Sequence, residues 1–275
     1  MNESRSEVYD DPAVRAASSP EAVDPADAAD PSGSAEPVYA VGIGPGNPAY
    51  LTRRAVRALR EADVVVGFET VVSFVERETD ADLLACGYRD EDEALSAFGE
   101  RVAAGETGTA VLMGDPNHSG YQFLGKVEDA VDRPVRVIPG ISSLQVAASR
   151  ARTPMEEATF VTLHKRGDVS ADLDRLARDA GERHLLVLPR PFDLMPEDVA
   201  ARLLDAGADP SLPALVFERL THEDERTTRT TLGGLAGGAA GAAGIDDADS
   251  VDAAVDGDES RFSDLSVLAV RRAPR

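Results

Sequence analysis

The chain has 275 residues, 43% of them hydrophobic and 28% charged, with 50 Asp and Glu against 28 Lys and Arg for a formal net charge of −22. That composition fits one large or two small globular domains with a sizeable core, and excludes collagen-like, coiled-coil and wholly disordered chains. The acidity disfavours non-specific nucleic-acid binding, which needs a basic face. No apolar run approaches the roughly 18–20 residues that cross a bilayer. The acidic N-terminus lacks the apolar core of a secretory signal, so the expectation is a cytoplasmic chain with no membrane partner. Only Lys126 and Lys165 are lysines. An acidic, Lys-poor, Arg-retaining balance matches adaptation to high salt, where self-repulsion is screened; the alternative is an acidic mesophilic protein. The single cysteine, Cys86, excludes an intramolecular disulfide framework and a Cys-rich metal site, and reads as a small core residue.

Residues 1–37 are rich in Ala, Asp, Pro and Ser. Such a segment buries too little surface to offset its ordering entropy, so it is read as a disordered acidic extension. Val38–Val41 is predicted as a short strand ending in glycines. Leu51–Ala62 is predicted as a helix, with Leu51, Ala55, Leu59 and Ala62 on one stripe and Thr52 as its N-cap. Val64–Val66, Thr109–Met113 and Val135–Ile138 are further apolar strands, and Ser143–Arg150 is a helix. Continuous apolar strands between helices argue for a parallel sheet covered on both faces. The texture changes in the second half. Thr159–His164, Leu185–Leu188, Leu215–Phe217 and Leu265–Val270 read as strands. Thr227–Leu232, alternating Thr with Arg, reads as an exposed or antiparallel one. The fold class is therefore α/β in two domains, a parallel-sheet domain over 38–138 and a mixed-sheet domain over 139–275. The Gly/Ala and Asp-rich stretch 233–260 is read as a flexible acidic loop.

Three strand ends carry loop signals: Gly42-Ile43-Gly44-Pro45-Gly46, Gly114-Asp115-Pro116 and Pro139-Gly140-Ile141-Ser142-Ser143. Ligands of open parallel sheets bind outside the carboxyl ends of the strands, so the three together mark one edge. Any one of them alone reads as plain chain reversal. The first is not a dinucleotide fingerprint, which needs Gly-x-Gly-x-x-Gly, nor a phosphate loop, which needs Gly-Lys-Ser/Thr. Pro45 stiffens it and removes an N–H donor, which suits a ligand other than a phosphate. Asp115 is either a ligand acceptor or a turn aspartate capping its own backbone. Ser142 and Ser143 either cap the next helix or offer donors to a carboxylate. The histidines, His118, His164, His184 and His222, lack metal-ligand spacing, so no protein-bound metal is expected. His118 and His164 follow strand ends and are site candidates. His184 reads as structural and His222 as part of a solvated turn. No nucleophile elbow is present.

In order and spacing the three loops resemble the motifs of the tetrapyrrole methylases. Val41–Thr52 resembles the opening motif, Gly114-Asp115-Pro116 the second and Ile138–Ser143 the third. The resemblance continues through Glu218-Arg219 to Thr231-Leu232 and the last strand. Within the family the chain is most similar to the cobalt-precorrin-7 (carbon 5) methyltransferases of cobalamin synthesis, through Ala62–Phe68, Pro139–Gln145 and Thr162-Leu163-His164. It departs at Asn117-His118-Ser119-Gly120, where relatives more often carry an aromatic before the glycine, and at Lys165, where glycine is expected.

The resemblance implies a homodimer of two-domain subunits with S-adenosylmethionine in the cleft between domains, acting on a tetrapyrrole. It implies cofactor contacts from Pro45, Asp115, His118, Gly140, Ile141, Ser142 and Ser143, with Leu188 and Ala214 from the second domain. The substrate carries several carboxylates, so Lys165, Arg166, Arg190 and Arg219 are candidate partners, with His164 as a hydrogen-bond donor. Cobalt would arrive inside the substrate. Alternatives are a methylase for another precorrin position or for uroporphyrinogen III, a diphthine synthase with a protein substrate, and a non-catalytic cofactor-binding module.

Overall fold

The computed structural model describes residues 36–191, 193–237 and 260–273. The acidic extension, apart from Glu36 and Pro37, and most of the acidic loop lie outside these. The chain divides into two compact units between Ser142 and Ser143.

The first unit is built on five parallel strands: β1 (Val38–Gly42), β2 (Val64–Phe68), β3 (Asp82–Cys86), β4 (Gly108–Leu112) and β5 (Val135–Ile138). Their order across the sheet is β3-β2-β4-β1-β5. Successive side chains of a strand point to opposite faces, and here both faces are covered. Val38, Ala40, Val64 and Val66 pack with Leu95, Phe98 and Val102 of α3 (Glu91–Ala103) and with Phe123, Leu124 and Val127 of α5 (Tyr121–Ala130). Val41, Val65 and Val111 pack the other way, against Ala55, Ala58 and Leu59 of α1 (Arg53–Glu61) and Val71 and Val72 of α2 (Glu69–Ser73). Doubly covered strands explain why the sequence shows runs of Val rather than alternation.

Helix α1 begins at Arg53, two residues later than predicted, because Thr52 caps it: its hydroxyl accepts the Ala55 N–H at 3.1 Å. Leu51 then lies outside the helix but still packs against that core. The edge strand β3 is missed from sequence, because Asp82, Leu83 and Ala85 are exposed and only Cys86 is buried. The short helix α4 (Pro116–Ser119) precedes α5.

The second unit has helices α6 (Ser143–Arg150), α7 (Ser170–Asp179), α8 (Pro196–Asp205) and α9 (Leu232–Ala236), and strands β6 (Ala158–Thr162), β7 (His184–Leu188), β8 (Pro213–Glu218), β9 (Arg226–Thr231) and β10 (Ser266–Val270). Its sheet runs β6-β7-β10-β8-β9. Only β6 and β7 are parallel; the other pairs are antiparallel, so the sheet is mixed. β9 is the antiparallel edge, and its Thr/Arg alternation belongs to that position.

Two sequence expectations shift here. The strand predicted to reach His164 ends at Thr162: Leu163 N–H still reaches Leu188 O at 2.8 Å, then Lys165 N–H turns back to Leu163 O at 2.7 Å. That i to i+2 bond is a γ-turn with His164 at its apex. Residues 233–236, placed by composition in the loop, belong to α9. Leu232 and Leu235, three apart, are fully buried, and Thr231 caps the helix by accepting Gly234 N–H at 3.2 Å.

Candidate active site

The three loops follow β1, β4 and β5, which are neighbours in the sheet, with β1 in the middle. Their backbones touch. Ile43 N–H donates to Leu112 O at 2.9 Å, Gly44 N–H to Gly114 O at 3.1 Å, and Gly114 N–H to Gly44 O at 2.8 Å. Gly44 and Gly114 both have positive φ, 77° and 66°, which turns the chain into this bridge. A Cβ at Gly42 would stand 2.6 Å from Gly140 N and 2.7 Å from Gly114 O. A side chain is therefore excluded where the three loops converge. Pro45 is buried within the first loop.

Asp115 joins the second loop to the third. One carboxylate oxygen accepts Asn117 N–H at 2.8 Å and caps α4. The other accepts Gly140 N–H at 3.1 Å. The sequence reading of Asp115 as a turn aspartate capping its own backbone thus applies, and the bond to the third loop is added by the structure. His118 lies one residue past Asn117, and its Nδ1 is a buried atom with no hydrogen-bond partner. Ser142 is 2% exposed, while Ile141 and Ser143 are half-buried. Sequence reasoning missed Asn117 and Tyr121, whose side chains extend the Asp115 contacts. Their i, i+4 spacing after the Asp-Pro turn is the signal that was available.

In the second unit, the carboxyl ends of β6, β7 and β8 and the amino end of β10 share one edge, since Thr162 pairs with Leu188 and Ser266 with Glu218. His164, Lys165, Arg166, Arg190 and Arg219 all follow these ends. Arg190 Nη1 lies 3.1 Å from Gly167 O, which ties the loop after β7 to the loop after β6. Arg190 grips Asp193 with two bonds of 2.7 Å, Lys165 pairs with Asp172 at 2.6 Å, and Arg219 with Asp224 at 2.6 Å. Three of the five candidates thus already face a carboxylate of their own unit. The Asp224 carboxyl is held below its usual range by Arg219.

Arg219 and Thr221 adopt left-handed backbone, φ 49° and 73°, uncommon for any side chain and strained for the β-branched Thr221. Part of His164 is exposed, yet crowding of its ring by protein lowers its pKa, with Asp264 opposing the shift. Leu188 is half-buried at this edge. Ala214 is not brought to it: Ala214 pairs with Val270, on the rung of Leu185, about 10 Å away at the far end of the strands. Its side chain is 1% exposed, inside the core.

His184 is structural: it is 5% exposed, and its Nδ1 accepts Arg272 N–H at 3.2 Å. Cys86 is 2% exposed and donates to Gly67 O at 3.4 Å. Burial, with Glu91 and Asp90, pushes its thiol up to about 11. Among the described residues no three His, Cys, Asp or Glu side chains form a metal-holding group, and no helix is long and apolar enough to cross a membrane.

Comparison with known proteins places this architecture. The chain is 29% identical over 191 residues to a protein of Methanocaldococcus jannaschii named probable cobalt-precorrin-7 C(5)-methyltransferase, covering 69% of this chain and 86% of that one. It is 33% identical to a siroheme synthase of Chromobacterium violaceum, over 69% of this chain, but spans only 43% of that relative's length. Among solved structures, a uroporphyrin-III C-methyltransferase of Thermus thermophilus, in complex with S-adenosylhomocysteine, shares the fold with a TM-score of 0.61 at 24% identity, over 86% of this chain and 92% of the other. The profile of the Tetrapyrrole (Corrin/Porphyrin) Methylases matches residues 37–236. With its three loops converging on one edge of a parallel sheet, the chain belongs to the tetrapyrrole (corrin/porphyrin) methylases, a family of S-adenosylmethionine-dependent methyltransferases.

Proposed function

We propose that this chain methylates carbon 5 of cobalt-precorrin-7 in cobalamin biosynthesis. The observation that carries the choice of substrate is the likeness to the Methanocaldococcus protein, most of whose length the chain spans. The second reading is uroporphyrinogen III, since a solved structure of the same fold is named a uroporphyrin-III C-methyltransferase; the siroheme synthase is matched over less than half its length.

The residues of the first unit fit S-adenosylmethionine. The buried, unpartnered Nδ1 of His118 is available to a ligand beside the loop edge, and the Pro45 loop faces that edge without the donors a phosphate would need. Pro45, Asp115, His118, Gly140, Ile141, Ser142 and Ser143 are the proposed contacts. Bound there, S-adenosylmethionine supplies a methyl already activated by its sulfonium sulfur, so no protein nucleophile is called for. What the chain must provide is alignment and exclusion of water. The bridged backbones of the three loops give a rigid floor for that alignment. In the second unit, Arg190 and Arg219 present cationic groups fixed by Asp193 and Asp224, and Lys165 one fixed by Asp172. With Arg166 and His164 they are the proposed partners of substrate carboxylates, and a substrate would exchange for the exposed Asp193 and Asp224. Leu188 remains a proposed contact; Ala214 rests on the resemblance alone. Assembly as a homodimer belongs to the same reading.

The test is transfer of labelled methyl at high salt to cobalt-precorrin-7, earlier precorrins and uroporphyrinogen III, with the new methyl located by NMR. One methyl at carbon 5 of the first supports the proposal. Transfer only to uroporphyrinogen III selects the second reading, and cofactor binding without any transfer sinks both.

A further inference from the structure

The Asn117-His118-Ser119-Gly120 departure has a structural counterpart. Tyr121 Oη donates to Asn117 Oδ1 at 2.8 Å. Asn117 Nδ2 donates to Asp115 Oδ1 at 2.7 Å. Asp115 Oδ2 accepts Gly140 N–H at 3.1 Å. The chain of bonds starts on the first residue of α5 and ends on the third loop. Every member has a compatible role: the phenol donates, the amide accepts with oxygen and donates with nitrogen, and the carboxylate only accepts. The carboxylate is held on both oxygens, so it cannot rotate away from Gly140 without breaking two other bonds.

We propose that Asn117 and Tyr121 are positioning residues for the cofactor edge, acting through Asp115 on the third loop. Neither need touch the ligand. Their side chains fix the Asp115 carboxylate, and the carboxylate fixes the start of Gly140-Ile141-Ser142-Ser143. A fixed loop binds its ligand without the cost of ordering it first. The relay lies at the surface, so its effect is modest, about 2–5-fold in affinity, the lower part of the range for a single hydrogen bond. The proposal rests on the cofactor reading above, and the test separates the two.

Tyr121→Phe removes only the phenol. Asn117→Ala removes the amide but keeps the backbone N–H that Asp115 caps. Asn117→Asp keeps the shape and loses the donor. For each variant and the parent, amide exchange at Gly140 is measured in the free protein, together with S-adenosylhomocysteine affinity by calorimetry, thermal midpoint, and kcat against KM for the cofactor. The expected result is faster Gly140 exchange and about 2–5-fold weaker affinity, with KM raised, kcat kept and the midpoint unchanged. Asn117→Asp behaves at least as badly as Asn117→Ala. Unchanged Gly140 exchange overturns the relay. Faster exchange with unchanged affinity overturns its role in binding. A parent protein that fails to bind S-adenosylhomocysteine overturns the cofactor reading and the proposed role in binding, while the exchange data still judge the relay.

Discussion

A Cβ on residue 140 would stand 2.1 Å from Gly114 O and 2.7 Å from Gly42 O, and both are backbone atoms that no rotamer change can move. Gly140→Ala is therefore expected to force the loops apart. Its cost is about 1–3 kcal/mol, as for overpacking elsewhere, and cofactor affinity should fall at least tenfold. A variant that binds as well as the parent would show that the loop contact is dispensable. His184 offers a different test. Burial and the charges of Arg271 and Arg272 hold it below its ordinary range, with Glu157 opposing them. The unfolded chain takes up a proton near pH 6.5 and the folded chain resists it. Stability from this group is complete above that pH and is lost as pH falls toward the depressed folded value, by at most about 1.4 kcal/mol per unit. Urea unfolding at pH 7.5 and 5.5 should show a smaller drop in His184→Asn than in the parent. Equal drops would assign the dependence to other groups.

At the scale of elements, the cap of α1 is the simplest quantity to measure. Thr52→Ala removes the acceptor of Ala55 N–H and should cost about 1 kcal/mol. Thr52→Ser should recover most of it; loss in both variants alike would point to Thr52 packing instead. The cap was legible in the sequence because Thr52 stands before an apolar stripe. So were β1, β2, β4 and β5, whose Val-rich runs need cover on both faces. β3 was not, since an edge strand with exposed Asp82 and Leu83 carries no such pattern. The end of β6 was misjudged because the γ-turn at His164 lies within a stretch whose composition still suits a strand. The motif loops were legible as strand ends, but their contact across Gly42, Gly114 and Gly140 depends on sheet order, which no local pattern encodes. Asn117 and Tyr121 were passed over for the same reason: the meaning of their spacing lies in what Asp115 holds on a distant loop.

For the whole molecule, the full chain carries a formal charge of −22, and its two lysines are already committed to carboxylates, Lys126 to Glu91 and Lys165 to Asp172. We infer that the chain is built for high salt. The thermal midpoint should rise steadily as ionic strength approaches about 1 M, where the screening length falls to about 3 Å. A midpoint that stays level or falls would mark it as a mesophilic acidic protein. The boundary expected near Pro139 and the division between Ser142 and Ser143 differ by a few residues. The last loop motif, all but Ser143, therefore closes the first unit.

The strand order has a consequence in time. β1 pairs with β4 and β5, so Tyr39 meets Thr109 and Arg136 across long stretches of chain. Such distant partners make for slow assembly, because the intervening chain must be gathered before any contact rewards it. A nascent polypeptide released only as far as Met113 would hold the first two strand-end signals' strands and none of the third. On the proposed cofactor reading, the first unit's share of affinity for the methyl donor should be acquired in one late step, when β5 docks beside β1 and residue 140 slides under the other two loops.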